Sequence, residues 1–414
     1  MQVSEGAAPR GQAQAAREGQ TPLTHLVVAI VALSMGGFAI GVTEFSIMGL
    51  LQEAVADLGV SIPQGGHLVS AYALGVVVGG PGLAIVAAKR ERRSFVLVLL
   101  GLFAVGHALS FFAPNYETMV ASRFISGLPH GAFFGVAALM AAQMAGPMRR
   151  AKAISGVLAG LAVANVIGVP IVTSIGQQFG WRWMFVVVLV LTIATMIAVW
   201  LFAPRQEPVT GASMVTELKG LRSKRLWVAV AMAVVGFSGM FALYSYISPV
   251  MTDVAGLAPH LLPLVVGLYG VGMVIGNFLG GWASDKSVMA TILIALALSA
   301  VFLFAFSATA GSVVFALLFM FLVAVSSSML SPSVQTHLID SVPDAPNTGA
   351  TIHHSAFNAA NALGAVLGAQ VLTWGYGLRA PSFVGAIGAV LGVLIALYAW
   401  KLKREEERPA SASR

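Results

Sequence analysis

Long apolar runs, each ended by a short polar stretch, follow one another from about Leu26 to Trp400. A helix rising about 1.5 Å per residue needs roughly 20 mostly apolar residues to cross a hydrocarbon core about 30 Å thick. By that measure the pattern predicts twelve spanning helices, over 25–51, 66–87, 94–112, 117–141, 152–175, 183–203, 225–250, 261–283, 288–307, 312–333, 347–373 and 380–401. The expected fold class is an all-α polytopic membrane protein. The longest polar break, 204–224, divides the spans six and six. The expected organisation is a tail over 1–24, a six-helix bundle over 25–203, a linker over 204–224, a second bundle over 225–401 and a tail over 402–414.

The connections alternate in charge. With the first tail placed in the cytoplasm, 20 of the 23 Lys and Arg residues fall inside, Arg182 and Arg379 fall outside, and Arg123 lies within a span. The positive-inside rule then puts both termini in the cytoplasm. It also accounts for the net charge of +7 without a nucleic-acid partner. The first tail has no short apolar core with a small-residue cleavage site, so the first span is expected to act as an uncleaved insertion signal.

Charged residues make up 9% of the chain, against about a quarter in a soluble domain, and there is no room for a large soluble domain. No cysteine is present, which excludes disulfides, thiolate metal sites and cysteine nucleophiles. No G-x-S-x-G, H-E-x-x-H or Walker loop appears, so neither an embedded hydrolase nor an ATP-driven pump is indicated, and no cofactor is expected.

The halves repeat. Ala71-Tyr72-Ala-Leu-Gly75-Val-Val-Val-Gly79 matches Leu268-Tyr269-Gly-Val-Gly272-Met-Val-Ile-Gly276 at an offset of 197, and Asn165-Val-Ile-Gly168 resembles Asn361-Ala-Leu-Gly364 at 196. Paired bundles of this kind are frequent in transporters. Gly75 and Gly79, Gly272 and Gly276, Gly156 and Gly160, and Gly364 and Gly368 are each four apart, a spacing that lets helix backbones approach closely.

Several motifs resemble those of the major facilitator superfamily. Gly276-Asn-Phe-Leu-Gly280-Gly281-Trp-Ala-Ser-Asp285-Lys286 is similar to its Gly-rich helix end with Asp and a basic cluster. The first-half counterpart, Gly79 to Lys89-Arg90-Glu91-Arg92-Arg93, has Ala88 where the Asp would stand, with Glu91 a candidate substitute. Arg123-Phe-Ile-Ser-Gly127 is similar to an Arg-x-x-x-Gly motif. The stretch from Gly156 through Gly168-Val-Pro170 resembles a Gly/Pro antiporter motif with one residue inserted. Gly180-Trp181-Arg182 and Thr43-Glu44-Phe45-Ser-Ile-Met48 point to the drug:proton antiporter branch and its arabinose-efflux-permease and chloramphenicol-exporter relatives. The resemblance covers about Leu26 to Lys403. It implies two pseudo-symmetric six-helix bundles that move by alternating access, with gating assigned to Gly79, Lys89, Arg90, Gly168, Pro170, Gly280, Asp285 and Lys286.

Glu44 and Arg123 are the acidic and basic residues well inside apolar spans, where a charge costs about 2.5–3.5 kcal/mol and signals function by default. Counted from Glu53 and Glu117, they lie about 13 Å and about 9 Å from the outer end and can share a level. Glu44 is expected to take up the coupling proton, since burial raises a carboxylate's pKa and a nearby cation lowers it. The resemblance makes Arg123 a participant, and His130 is the histidine in the same motif. The alternative is that both charges snorkel to the headgroups and only fix helix depth. His107, His353 and His354, like His130, read first as satisfied polar residues bonded to a neighbouring helix, ahead of a proton relay, and His353 and His354, being adjacent, cannot form an i, i+4 metal pair.

The resemblance places a substrate cavity between the first, fourth, seventh and tenth spans. Phe45, Met48, Phe133, Phe134, Phe241, Tyr244 and Tyr246 are candidate lining residues, with Asn358 and Asn361 (and Asn165) as polar handles. Core or lipid packing and interhelical hydrogen bonds remain alternative roles for each. The expected function is proton-coupled efflux of small amphipathic or drug-like molecules by a monomer in a bacterial inner membrane. The alternative is a sugar or nucleoside exporter, facilitator or importer.

Overall fold

The computed structural model describes residues 23–87, 90–146, 149–206, 219–343 and 346–407. Lys89, most of the linker and the outer parts of both tails lie outside these. The spans are Leu23–Gly49, Ile62–Ala87, Arg92–Phe112, Tyr116–Gly127 continued by His130–Ala145, Arg150–Phe179, Trp183–Phe202, Lys224–Tyr244, Leu262–Ser284, Val288–Thr309, Val313–Ser328 continued by Leu330–Asp340, Pro346–Thr373 and Ala380–Glu407. Among the described residues eleven helices are long and apolar enough to cross a membrane. The remaining predicted span, the eleventh, Pro346–Thr373, has 28 residues and ample length, but its polar residues lower its hydropathy. Its His353, Asn358 and Asn361 are buried inside the protein, away from lipid. Outward-facing positions are greasy instead, as Phe112 (76% exposed) and Phe278 (77%) illustrate.

Sequence ends the helices where the chain must turn. Asn115 and Thr118 form a reciprocal capping box that starts the fourth span. Gly59, at φ 65°, takes the left-handed conformation that closes a short helix, Leu51–Leu58, after the first span. The loops then gather at two ends. At the end away from the termini (the distal end), Trp181 and Arg182 both bond to Asp57, and Arg182 also reaches the Ala113 carbonyl at 3.1 Å. This accounts for the Gly180-Trp181-Arg182 signature as a knot joining three loops. At the proximal end Arg92 bonds Gln143 at 2.6 Å and Arg93 reaches the Ala203 carbonyl at 3.2 Å.

The glycine spacing has a structural cause. A Cβ on Gly75 or Gly79 would strike the carbonyls of Phe124 and Leu128, so the second span lies backbone to backbone on the fourth. Gly272 and Gly276 meet the carbonyls of Phe321 and Val325 in the same way. All four residues of the second contact sit 197 positions after those of the first, which confirms the repeat. The expected match of Asn165 with Asn361 is corrected. Gly160 lies against the Ser34 carbonyl and Gly364 against that of Ser238, so the fifth and eleventh spans correspond at 204, not 196. Small and amide residues common to both helices had produced a false register.

The inserted residue of the Gly/Pro motif sits beside an irregularity. The fifth helix widens into a π turn at Ala164–Gly168 before Val169–Phe179 continues. A π turn absorbs one extra residue and often marks a functional site. Here the Asn165 carbonyl and Pro170 face Gly270 and Gly267 of the eighth span, so the fifth meets the other half at its widened turn.

Glu91 does not stand free as a substitute for the missing Asp. It caps the third span, accepting from the backbone N–H groups of Arg93 and Ser94 at 2.9 Å and of Gln206 at 3.0 Å. Burial opposes its ionisation, but the Ser94 hydroxyl and the backbone donors of Gln206, Ser94 and Arg93 outweigh it and hold the carboxyl at about 2.

Gly75→Val is expected to destabilise the protein by about 1–3 kcal/mol through overpacking, seen as a lower thermal unfolding temperature in detergent. Because the folded pKa of Glu91 lies below its ordinary 4.5, its contribution is present above about pH 4.5 and disappears as pH falls towards 2. Glu91→Gln should therefore cost on the order of 1 kcal/mol at neutral pH, and less at acid pH, in the same measurement.

Candidate functional site

The first span carries three consecutive residues with different partners. Thr43 faces the fourth and third spans. Arg123, completely buried, donates from Nη1 to the Thr43 hydroxyl at 3.0 Å, from Nη2 to the Thr43 carbonyl at 3.3 Å and from Nε to the Leu68 carbonyl at 3.4 Å. Its guanidinium also lies 4.5 Å from the centre of the Tyr72 ring and 5.9 Å from that of Phe185. A buried cation is tolerated when donors and ring faces replace its hydration, and this one has both.

Thr43 links the cation to a histidine. His107 lies 2.7 Å from the Phe103 carbonyl through Nδ1 and 2.8 Å from the Thr43 hydroxyl through Nε2. A carbonyl only accepts, so Nδ1 carries the hydrogen. In the neutral ring the Thr43 hydroxyl then donates to Nε2 while accepting from Arg123.

Glu44, only 3% exposed, points elsewhere. It forms no ion pair with Arg123. Its hydrogen-bond partner is Asn361 of the eleventh span, whose Nδ2 donates to Oε1 at 3.4 Å. Both charges are buried among protein groups and not on the exposed surface. Phe45 meets Tyr244 edge-on at 5.8 Å, and Tyr244 stacks on Tyr269 at 4.1 Å.

The eleventh span presents His354, Asn358 and Asn361 at helical spacing. His354 stacks on Phe134 with ring centres 5.6 Å apart, while His353 contacts Ser331 of its own half at 3.4 Å. Asn358 donates to the His354 carbonyl at 3.1 Å. The side-chain oxygens of Asn358 and Asn361 and the Tyr269 hydroxyl are buried with no hydrogen-bond partner. His130 lies 3.1 Å from the Tyr72 hydroxyl through Nδ1 and 5.4 Å from the Phe134 ring.

Other predicted residues fall less centrally. Phe133 packs against Gly36, Phe241 meets Phe357 at 4.9 Å, and Met48 is buried in the core. Tyr246 departs from the expectation of a cavity wall. The seventh helix ends at Tyr244, and beyond that turn Tyr246 bonds the Ala365 carbonyl at 2.6 Å, in a separate cluster with Leu51, Val55 and Ala369. Gly79, Gly168 and Gly280 are helix-contact glycines, set against Leu128, Val42 and Met329. Asp285 follows the eighth span, and Lys286 lies 3.8 Å over the Trp282 ring. Arg90 is exposed at the proximal end.

Further hydrogen bonds between the halves lie at the distal end. Gln52 donates to both Asp253 carboxylate oxygens at 3.0 Å and accepts from Ser248 at 3.3 Å and Thr252 at 2.9 Å, while Gln177 reaches the Pro259 carbonyl at 2.9 Å. The distal side is latched here.

Sequence reasoning missed Thr43, Tyr72, His107 and Tyr269 as site residues. Tyr72 and Tyr269 carried a signal, since the repeat puts them at equivalent places. Thr43 stood inside a quoted motif without an assigned role.

The sequence matches the family model for the Major Facilitator Superfamily in two overlapping stretches, residues 33–345 and 239–414. The chain belongs to the major facilitator superfamily. This major facilitator protein is 36% identical over 366 residues to the inner membrane transport protein YdhP of Escherichia coli (strain K12), covering 88% of this chain and 94% of that protein. It is 28% identical over 397 residues to a chloramphenicol resistance protein of Streptomyces lividans, covering 95% and 99%. The crystal structure of a D-xylose-proton symporter shares its fold, with a TM-score of 0.72 at 19% identity over 90% of this chain and 97% of that one. It is therefore a multi-pass membrane transporter of small molecules and not an enzyme, with bacterial inner-membrane relatives.

Thr43→Val keeps the side-chain shape but removes the shared hydroxyl of Arg123 and His107. Transport by this variant in vesicles is expected to fall roughly tenfold, with the fold retained as judged by thermal unfolding.

Proposed function

We propose that this major facilitator protein is a proton-driven exporter of small amphipathic molecules, with Glu44 as the carboxyl that takes up and releases the coupling proton. One observation carries the reading. Glu44 is buried, unpaired with any cation, and hydrogen-bonded to Asn361 in the opposite half. A carboxyl placed there exchanges its proton only when the halves part, which is the condition for coupling proton flow to alternating access. Arg123 fixes the electrostatic surroundings from its Thr43 cradle, and His130 with Tyr72 extends the polar cluster through the fourth and second spans. The Lys/Arg distribution supports cytoplasmic termini, so the latched distal side faces outward. The chloramphenicol resistance relative supports a drug-like cargo, and monomeric action fits a site built within one chain.

Aromatic faces of Phe45, Tyr244, Tyr269 and Phe134 suit a flat or apolar cargo surface. The unpartnered oxygens of Asn358 and Tyr269 favour cargo with hydrogen-bonding groups, and they also suit a second reading, a sugar or nucleoside as the transported molecule. The protein in vesicles, given an imposed proton gradient and a panel of antibiotics, sugars and nucleosides, tests both. The expected result is gradient-driven extrusion of an amphipathic compound that a protonophore abolishes and Glu44→Gln reduces at least tenfold. Equal proton-driven transport by Glu44→Gln would overturn the assignment.

A further inference from the structure

We propose that Asn361 is a positioning residue of the proton step, supplying Glu44 with a hydrogen-bond partner in both of its protonation states. This rests on the reading that Glu44 carries the proton. Two observations on one amide support it. Its nitrogen already donates to Glu44 Oε1 across the two halves at 3.4 Å, and its oxygen is buried without a donor. A buried acceptor without a donor is costly, and native structures rarely leave one without reason. A carboxylate cannot satisfy it, because a carboxylate has no hydrogen to give.

A carboxylic acid can. With Glu44 protonated, its O–H donates to the Asn361 oxygen while the Asn361 N–H donates to the other carboxyl oxygen. The long single bond becomes a closed pair of hydrogen bonds. The proton comes from water reached from one side and returns to water on the other, so no further reactant is needed. Proton uptake then tightens the contact between the first and eleventh spans in the arrangement whose distal side is latched through Gln52 and Asp253. In an exporter this is the proton-loaded half of the cycle, and proton release loosens the contact for cargo.

The other titratable neighbours do not hydrogen-bond the Glu44 carboxyl. Arg123 and Tyr72 approach from the fourth and second spans, and Arg123 is held on Thr43 and Leu68. His107 of the third span is spent on Phe103 and Thr43. From the second half, Tyr244 and Tyr269 stack on each other, and His354, two turns from Asn361, stacks on Phe134. Asn361 is the group in hydrogen-bond reach of the Glu44 carboxyl.

The chain has no cysteine, so spin labels can be placed without background. Glu117→Cys and Tyr376→Cys put labels at exposed distal positions of the two halves. Distances measured by electron double resonance in lipid nanodiscs between pH 5 and 9 give the midpoint of distal closure. Without Asn361, the protonated carboxyl loses both bonds of the closed pair, whereas the carboxylate loses one long bond. In Asn361→Leu the midpoint is expected to move about one unit to lower pH, a roughly tenfold loss of proton affinity, while Asn361→Gln, which keeps an amide, recovers part of the shift. Asn361→Ala is read in the same way if the Leu variant does not fold. An unchanged midpoint in the Leu or Ala variant overturns the proposal. If Glu44→Gln still closes with the wild-type midpoint, the fault lies instead with Glu44 as the proton carrier.

Discussion

Lipid gives helices no hydrophobic reason to associate, so the assembly rests on how closely their backbones approach. In the first half the second span comes near enough to the fourth that Gly75 and Gly79 touch peptide carbonyls, and Gly272 and Gly276 do the same for the eighth and tenth. Dispersion and dipole contacts act at full strength only at that range. The site depends on it, because Tyr72 and Leu68 of the second span can serve Arg123 of the fourth only when the two helices lie in contact.

The scaffold is symmetric and its chemistry is not. Carried forward by the offsets that relate the halves, Arg123 falls on Met320 and Glu44 on Ser248. Met320 is an apolar core residue, and Ser248 joins the distal latch with Gln52. The first half therefore holds both buried charges, while the second supplies aromatic faces and the amide that touches the carboxyl. One bundle carries the charge, and the other reads it across the interface.

How much of this was legible depended on whether the signal was local. Span positions were readable because hydropathy is a property of consecutive residues. Glu44 and Arg123 stood out because a charge in an apolar run is conspicuous without its neighbours. Their partners were not readable. Asn361 lies 317 residues from Glu44, and only the rotation of two helices brings its amide to the carboxyl. Tyr246 was placed within a seventh span drawn through Pro249 to 250, whereas the helix stops at Tyr244 and the chain turns there. The false pairing of Asn165 with Asn361 shows the limit of short matches in helices rich in small residues, which backbone contacts settled.

The π turn of the fifth span gives that helix a second employer without ending its service to the first. Gly160 before it and Gly168 and Gly176 at and beyond it pack against Ser34, Val42 and Leu50, while Asn165 and Pro170 also bear on the eighth span. A wide turn can migrate or unwind by a single residue without disturbing the helix on its far side. The bundle can thus release its grip on the opposite half there while the inner packing of its own half keeps its register.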